Sequence, residues 1–281
     1  MFRIDEMTRG RFGNKILHYN TLMQLAESNS CETSCVPWEG SELFDDLCTY
    51  KDPKNSETKV SWDEILESIK LDVPSTDYQV DPYSLHNNFW KVTKTDPRKF
   101  FKINEKHKRN LPKEKTNIGI HLRGTDILGA DGNNGREIHE PKYYIDSINL
   151  CEKEFDNTKY YVCTDDLNFV SFIETVKHLE SNDIEFELGS PNHYMDFSTL
   201  SECDVLIASS STFVVCAGFI GKKNKKIIHS RIWLDKNINH TSWHTTPDPE
   251  HVRKWQLSFD SFWVDLYNSG GNNFYEMWNI V

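Results

Sequence analysis

The sequence predicts an α/β fold built on parallel sheets, and three observations carry that expectation. Between residues 118 and 229, short apolar runs alternate with stretches of helical periodicity, as in a doubly wound domain. The run Ile118-Gly-Ile-His-Leu-Arg-Gly-Thr-Asp126 begins apolar, as a strand buried on both faces does, and ends in charge. A loop with two glycines, Thr8-Arg-Gly-Arg-Phe-Gly-Asn14, precedes a helical pattern near the N-terminus. In open α/β sheets ligands bind outside the carboxyl ends of the strands, so the charged strand ends are where chemistry is expected.

A length of 281 residues suits one large or two small α/β domains, and 37% hydrophobic with 12% aromatic residues marks a globular chain. The net charge of −11 argues against nucleic acid or an anionic membrane as a partner. A polyanionic small molecule would need a local basic pocket, which gives weight to a few arginines. No apolar run approaches the roughly 20 residues of a membrane span, and the N-terminus lacks a signal peptide's apolar core. The seven cysteines are odd in number and scattered, and Cys31, Cys35 and Cys48 form neither a CxxC pair nor a zinc set with histidines. These features predict a cytoplasmic protein with reduced thiols, no membrane span and no metal.

Taken in order, Phe2 to Ile4 is too short to assign alone. A helix follows the glycine loop, with Ile16, Leu17, Leu22, Met23, Leu25 and Ala26 spaced at three and four. Residues 29 to 62 read as irregular, and Ser61-Trp-Asp-Glu is a capping box for a helix through Ile69. Tyr78, Tyr83, Phe89 and Trp90 suit a core or a sugar-stacking face. The basic stretch Lys91 to Lys115 reads as a solvated helix plus a linker, with a boundary at Asn110-Leu-Pro-Lys-Glu-Lys115. The expected domains are therefore 1–112, 113–234 and an aromatic tail, 235–281, packing back on the first.

In the second domain, 118–122 is a strand and Gly129-Ala-Asp-Gly-Asn-Asn-Gly-Arg136 a glycine-rich loop. A helix starts at Pro141 and runs to about Glu154. Tyr160-Tyr-Val-Cys-Thr-Asp-Asp166 is a strand ending in carboxylates, followed by a helix over 167–179 and a strand over 184–188. A helix at 195–202, a strand at 204–208, a helix at 212–220 and a strand at 226–229 close the sheet.

Three segments carry candidate chemistry. Arg123 is always charged and presents a planar fork of donors suited to a diphosphate, although an ion pair with Asp126 would explain it equally. Arg11 and Asn14 add donors to a glycine loop whose backbone, at Gly13, can approach an anion closely. Ser209-Ser-Ser-Thr-Phe213 places hydroxyls at a strand-to-helix turn, where one of them suffices as a helix cap. Asp196 opens the preceding helix, as a cap or as an acceptor for a base with two adjacent N–H donors, as guanine has.

Gly10-Arg-Phe-Gly-Asn-Lys15, His121-Leu-Arg-Gly-Thr-Asp126, Thr164-Asp-Asp166 and Asp196-Phe-Ser-Thr-Leu-Ser-Glu-Cys-Asp204, followed by Ser210-Ser-Thr-Phe213, occur in a telling order. Together they resemble the GDP-fucose-dependent fucosyltransferase superfamily of α-1,2-, α-1,6- and protein O-fucosyltransferases. The resemblance covers residues 9 to 26 and 117 to 220. It implies a GT-B-like fold, two Rossmann-like halves with a nucleotide-sugar cleft between them, and transfer of fucose from GDP-fucose to a glycan or glycoconjugate hydroxyl. By it, Arg11, Gly13 and Asn14 face the diphosphate and sugar. Arg123 neutralises the leaving β-phosphate with His121 beside it, Asp196 reads guanine, and Ser210, Ser211, Thr212 and Phe213 line the nucleotide pocket. The general base falls at Asp131, eight residues after Arg123, with Asp126 and Glu137 as competitors. Gly124 stands where many relatives carry a second arginine.

Cleaving a sugar–diphosphate bond concentrates negative charge on the leaving group, which fixed cationic donors stabilise without a metal. Asp165 and Asp166 are adjacent and lack the Asp-x-Asp arrangement that holds one. The expected reaction is metal-independent and inverting, with no cofactor beyond the donor. Another nucleotide-sugar, or a non-catalytic nucleotide- or glycan-binding relative, is the alternative.

Overall fold

The computed structural model describes residues 1–7, 10–53, 56–60, 76–80, 95–125, 139–209, 211–222, 226–229 and 278–280. They form two compact units, divided in the chain between Lys106 and His107.

The first unit runs β1 (Phe2–Ile4), α1 (Phe12–Ser28), β2 (Thr33–Cys35), α2 (Gly40–Leu43), β3 (Phe44–Asp45), β4 (Ser56–Val60), β5 (Thr76–Val80) and β6 (Lys102–Ile103). Its main sheet is parallel throughout, in the order β2-β1-β5-β4, and β3 pairs β6 antiparallel. The helix expected after the glycine loop is α1, and Ile16, Leu17, Leu22, Leu25 and Ala26 are buried in it. Polar residues of α1 are buried too. The Gln24 amide donates to the Thr95 carbonyl at 2.6 Å and accepts from the Thr95 amide at 2.9 Å, serving that backbone as a neighbouring strand would.

Two sequence expectations are corrected in this unit. Residues 29 to 62 are not irregular throughout, since they hold β2, α2, β3 and β4. The β2 strand is three residues of low hydrophobicity, so periodicity could not expose it. Its Ser34 hydroxyl accepts from the Lys51 amide at 2.8 Å and donates to the Lys51 carbonyl at 3.1 Å. The basic stretch forms no α-helix between residues 95 and 115. A 3₁₀ turn at Pro97–Lys99, capped by the Asp96 carboxylate on the Arg98 amide, and the short β6 occupy it instead. Its lysines have no apolar stripe to bury, and helical stability in proteins comes chiefly from such a stripe. The helix expected over 61–69 and the aromatic positions Tyr83, Phe89 and Trp90 lie outside the described residues.

The second unit runs β7 (Thr116–Leu122), α3 (Pro141–Glu154), β8 (Thr158–Thr164), α4 (Val170–Ser181), β9 (Phe186–Leu188), α5 (His193–Glu202), β10 (Val205–Ala208), α6 (Thr212–Ile220), β11 (Lys226–His229) and β12 (Trp278–Ile280). All six strands are parallel, in the order β12-β11-β10-β7-β8-β9. This is a doubly wound, Rossmann-like sheet whose first strand lies at its centre. Strand β11 does not close it, because β12 pairs outside. Of the tail expected to lie against the first domain, only 278–280 are described, and they extend this second sheet. The helix expected from residue 167 begins at Val170, since the Asp166 carboxylate first accepts from the Asn168 amide at 2.9 Å.

Ile118, Ile120 and Leu122 of β7 have no exposed surface and share one core with Ile148, Tyr160, Val162, Val205 and Ile207. The other face of β7 presents Gly119. A Cβ there would stand 2.7 Å from Leu200 Cδ2 and 2.8 Å from Leu206 Cδ2, so the missing side chain lets α5 close onto the sheet. Overpacking a well-packed core typically costs about 1–3 kcal/mol, and Gly119→Ala is expected to destabilise the chain by that amount in urea unfolding. An unchanged unfolding midpoint would contradict the close approach.

Candidate functional site

In the second sheet the strand order reverses between β7 and β10, and the residues following these two strands meet. His121, near the end of β7, shares a 2.6 Å hydrogen bond through Nδ1 with the Ser209 hydroxyl after β10. Two residues on, Arg123 Nη1 donates to Ser211 Oγ at 3.1 Å. Ser211 caps α6, accepting the Phe213 amide on the same oxygen at 3.3 Å. The Phe213 ring stacks on the His121 imidazole, centroids 5.3 Å apart, and meets Phe197 of α5 edge-on at 5.3 Å. A cation, a helix start and an imidazole thus share one strand-end site, an arrangement with affinity for an anion.

Protonated histidine is disfavoured here. Burial, with the Arg123 charge adding to it and Asp165 opposing, lowers His121 from its ordinary 6.5 to about 4. The ring is therefore neutral near pH 7, able to donate on one nitrogen and accept on the other.

The turn carrying Arg123 is built by a residue that sequence reasoning had set aside. Asp165 follows β8, and its carboxylate accepts from the Gly124 amide at 2.7 Å, the Thr125 amide at 3.3 Å and the Thr125 hydroxyl at 2.7 Å. Burial would raise its pKa, but those hydrogen bonds prevail and hold it below the ordinary carboxylate value. The signal lies in the strand register, which the sequence alone does not display. In parallel pairing with Leu122 opposite Thr164, position 165 falls beside 123 and 124. Gly124 has a reason of its own. A Cβ would lie 3.0 Å from Asp166 Cβ and from Phe169 Cβ and Cγ, so a side chain at this position would require those neighbours to give by a few tenths of an ångström.

Asp196 lies in the first turn of α5, 7% exposed, and accepts from the Ser190 amide at 2.7 Å. Burial raises it to about 6, against the Ser190 and Cys163 hydrogen bonds and the Arg109 charge. Gly189 makes room for it, since a Cβ there would stand 2.8 and 2.9 Å from the two carboxylate oxygens. Asp196 is not the cap of α5; Asn192 is, through the Tyr194 amide at 3.0 Å. One of the two sequence readings of Asp196 is thereby removed.

His121, Arg123, Ser211, Thr212 and Phe213 are thus brought to one site, with Asp196 on the adjoining helix. Sequence reasoning missed Ser209 as the partner of His121, and Asp165. Arg11, Gly13 and Asn14 are together at the start of α1 in the first unit, where Arg11 is the N-cap residue and makes no side-chain cap bond. Gly10 has φ +81°, and a Cβ on it would stand 2.8 Å from Asn14 Cβ, so this turn requires glycine. Ser210, Asp126, Asp131 and Glu137 lie outside the described residues. Among the described residues no cluster of three or more His, Cys, Asp or Glu could hold a metal, and no helix is long and apolar enough to cross a membrane.

No family model and no curated protein matches the sequence. Solved structures do match the fold. A structure of POFUT1 in complex with GDP-fucose superposes with a TM-score of 0.55 at 11% identity, over 81% of this chain and 96% of that one. The R284K mutant of Arabidopsis thaliana FUT1 in complex with GDP gives 0.51 at 13% identity, over 80% of this chain and 68% of that one. The fold is GT-B-like, as in these fucosyltransferases. At such identities the likeness concerns the fold alone.

Two of the shifted groups, Asp196 and His121, push stability in opposite directions with pH. Asp196 ionises at about 6 in the fold and near 3.8 when unfolded, so its contribution is present below 3.8 and lost as pH rises through about 6. His121 protonates at about 4 in the fold and near 6.5 when unfolded, so stability is lost as pH falls from 6.5 towards 4. Each effect has a ceiling of about 3 kcal/mol at 1.36 kcal/mol per pKa unit. Asp196→Asn keeps an acceptor for Ser190 and removes one of the two opposing slopes. Its stability relative to wild type should therefore rise by about 2–3 kcal/mol between pH 4 and 6.5 in urea unfolding. A pH-independent difference would refute the burial effect.

Proposed function

We propose that the chain is a glycosyltransferase moving fucose from GDP-fucose to a hydroxyl of a glycan or glycoconjugate, with inversion, without a metal and with no cofactor besides the donor. One observation carries this reading: Arg123 bonded to the cap of α6 at the switch point of a Rossmann-like sheet, beside a neutral histidine. A fixed guanidinium and the amides of a helix start suit a diphosphate that gains charge as it departs. The fold, shared with proteins whose structures hold GDP-fucose and GDP, supports a nucleotide-sugar as the ligand.

In this reading Arg123 and the start of α6 take up charge on the β-phosphate as its bond to fucose breaks. His121, uncharged, donates a hydrogen bond to the same oxygens. Asp196, when ionised, accepts the two adjacent N–H groups of guanine, and Phe213 with Ser211 and Thr212 lines the nucleotide. Asp131 takes the acceptor's proton, with Asp126 as the second choice, and the hydroxyl displaces GDP from the opposite face.

Thermal shift with GDP, UDP and ADP tests the donor, since a ligand selective for the folded state raises the melting temperature. GDP alone should stabilise the wild type, and UDP would do so if another nucleotide-sugar were used. Release of GDP from GDP-fucose should fall by about 10²–10³-fold in Arg123→Ala, the loss typical of one transition-state donor. Equal rates in the two proteins would sink the catalytic assignment, and binding without turnover would make the chain a nucleotide-binding relative. GDP affinity should also weaken below pH 6, by up to about tenfold per unit, as Asp196 becomes protonated. Isothermal titration at pH 5 and 7 measures this.

A further inference from the structure

The two serines that hold His121 and Arg123 are only as well placed as the strand end that carries them. Strand β10 ends at Ala208, and Ser209 and Ser211, both buried, follow it. The Ser211 amide donates to the Ser209 carbonyl at 2.7 Å, which ties the two residues to one another in a tight turn. The direction of that turn is set by the way the chain leaves the sheet at Ala208.

There a side chain from another element meets the sheet. Tyr143 lies in the first turn of α3, and its hydroxyl donates to the Ala208 carbonyl at 3.0 Å and to the Ile228 carbonyl at 3.0 Å. One proton shared between two acceptors is a three-centre hydrogen bond. It spans the last rungs of the β10–β11 pair, where Ile207 stands opposite Ile228 and Ala208 opposite His229. The tyrosine ring is itself supported. His139 lies against it with centroids 4.5 Å apart, and Tyr144 meets it edge-on at 4.9 Å. Tyr144 belongs to the core of the sheet, and the His139 carbonyl accepts the Ser171 hydroxyl of α4 at 2.8 Å. The hydroxyl is thus presented to the strand ends from a packed surface.

We propose that Tyr143 is a positioning residue of the strand-end site, its hydroxyl fixing the end of β10 so that Ser209 meets His121 and Ser211 meets Arg123.

The path from Tyr143 to the site is short. It runs from the hydroxyl to the Ala208 carbonyl, along the peptide chain to Ser209 and Ser211, and then to His121 Nδ1 at 2.6 Å and Arg123 Nη1 at 3.1 Å. A buried carbonyl deprived of its donor draws the backbone towards other donors, and the serines follow the backbone. A misplacement of about 1 Å at a reacting centre can cost a hundredfold in rate. A tie of purely structural use would instead lower stability and leave the His121 and Arg123 contacts as they are. The consequence for turnover rests on the glycosyl transfer proposed above, whereas the consequence for His121 does not.

The test uses the full chain and four proteins: wild type, Tyr143→Phe, Ser209→Ala and the double variant. Tyr143→Phe removes one oxygen and keeps the ring with its packing, and urea unfolding confirms that each protein is folded. In the first measurement, without ligand, the histidine rings are labelled with nitrogen-15 and observed by NMR, His121 being identified by its loss in His121→Gln. Tyr143→Phe should move the His121 Nδ1 resonance in the same direction as Ser209→Ala does, and the double variant should move it no further than Ser209→Ala alone. An unmoved resonance in Tyr143→Phe overturns the proposal. The second measurement is release of GDP from GDP-fucose. Tyr143→Phe should slow it about tenfold, the upper end of what one hydrogen bond contributes. With Ser209 already alanine the further loss should be less than about twofold, because residues that act through one another are not additive. Equal losses in the two backgrounds overturn the proposal, since they show an effect independent of Ser209. A wild type that releases no GDP sinks the transfer reading, and the His121 resonance then decides the role of Tyr143 by itself.

Discussion

The grip of one carboxylate on one turn sets the geometry of the second unit's site. Asp165 holds the amides of Gly124 and Thr125 and the Thr125 hydroxyl, three donors on one side chain. An extended strand end with free amides would otherwise leave Arg123 on a swinging segment, and a long cationic side chain loses rotamer entropy wherever it is fixed. With the backbone clamped just after it, Arg123 is directed in part by the Ser211 hydroxyl. Ser211 is itself fixed as the cap of α6. The parallel register of β7 with β8 places the clamp, and the pairing of β7 with β10 places the partner. Fold topology and side-chain chemistry therefore converge at the strand-order reversal, where an open parallel sheet offers a crevice.

The electrostatics around that guanidinium follow from the same burial. A protonated His121 would put a second positive charge beside Arg123 in a water-poor place, and desolvation prevents this before repulsion has to. Asp196 shows the mirror case, a carboxylate whose burial outweighs its hydrogen bonds. Each group is held nearer its neutral form than it would be in water. An incoming ligand with matching donors then has more to offer than it would to a group already paired with a full charge.

Much of this was legible from residue patterns, and the failures have physical causes. The strands β7, β8 and β10 and the helices α3, α5 and α6 stand within a few residues of where apolar periodicity predicts them, because central parallel strands are nearly continuous apolar runs. Strand β2 escaped because Thr33, Ser34 and Cys35 are too few to carry a period, and it is held by parallel pairing with β1 and by the Ser34 hydroxyl bridging Lys51. The basic segment before residue 115 was misread because charge patterning cannot tell a solvated helix from an irregular chain once no apolar face is required. Arg123, His121 and Ser211 were identifiable by type and by their place at strand ends. Asp165 was not, because its role depends on a register between two strands that a single sequence does not display.

Gly124 shows how such a register can dispose of an apparent defect. Beside the two-arginine pattern that the sequence resemblance leads one to expect, a glycine after Arg123 reads as the loss of a donor. The space argues otherwise. The position where a Cβ would stand is bounded at 3.0 Å by Asp166 and by the Phe169 ring and Cβ, on the approach to α4. A side chain there would press on Asp166 and Phe169, the residues that follow Asp165 after β8. The neighbouring strand end is thus closely packed at this position, and the Gly124 amide itself is held by Asp165 at 2.7 Å. One guanidinium, two serine hydroxyls and a helix start are thus gathered at this strand end beside a position that carries no side chain.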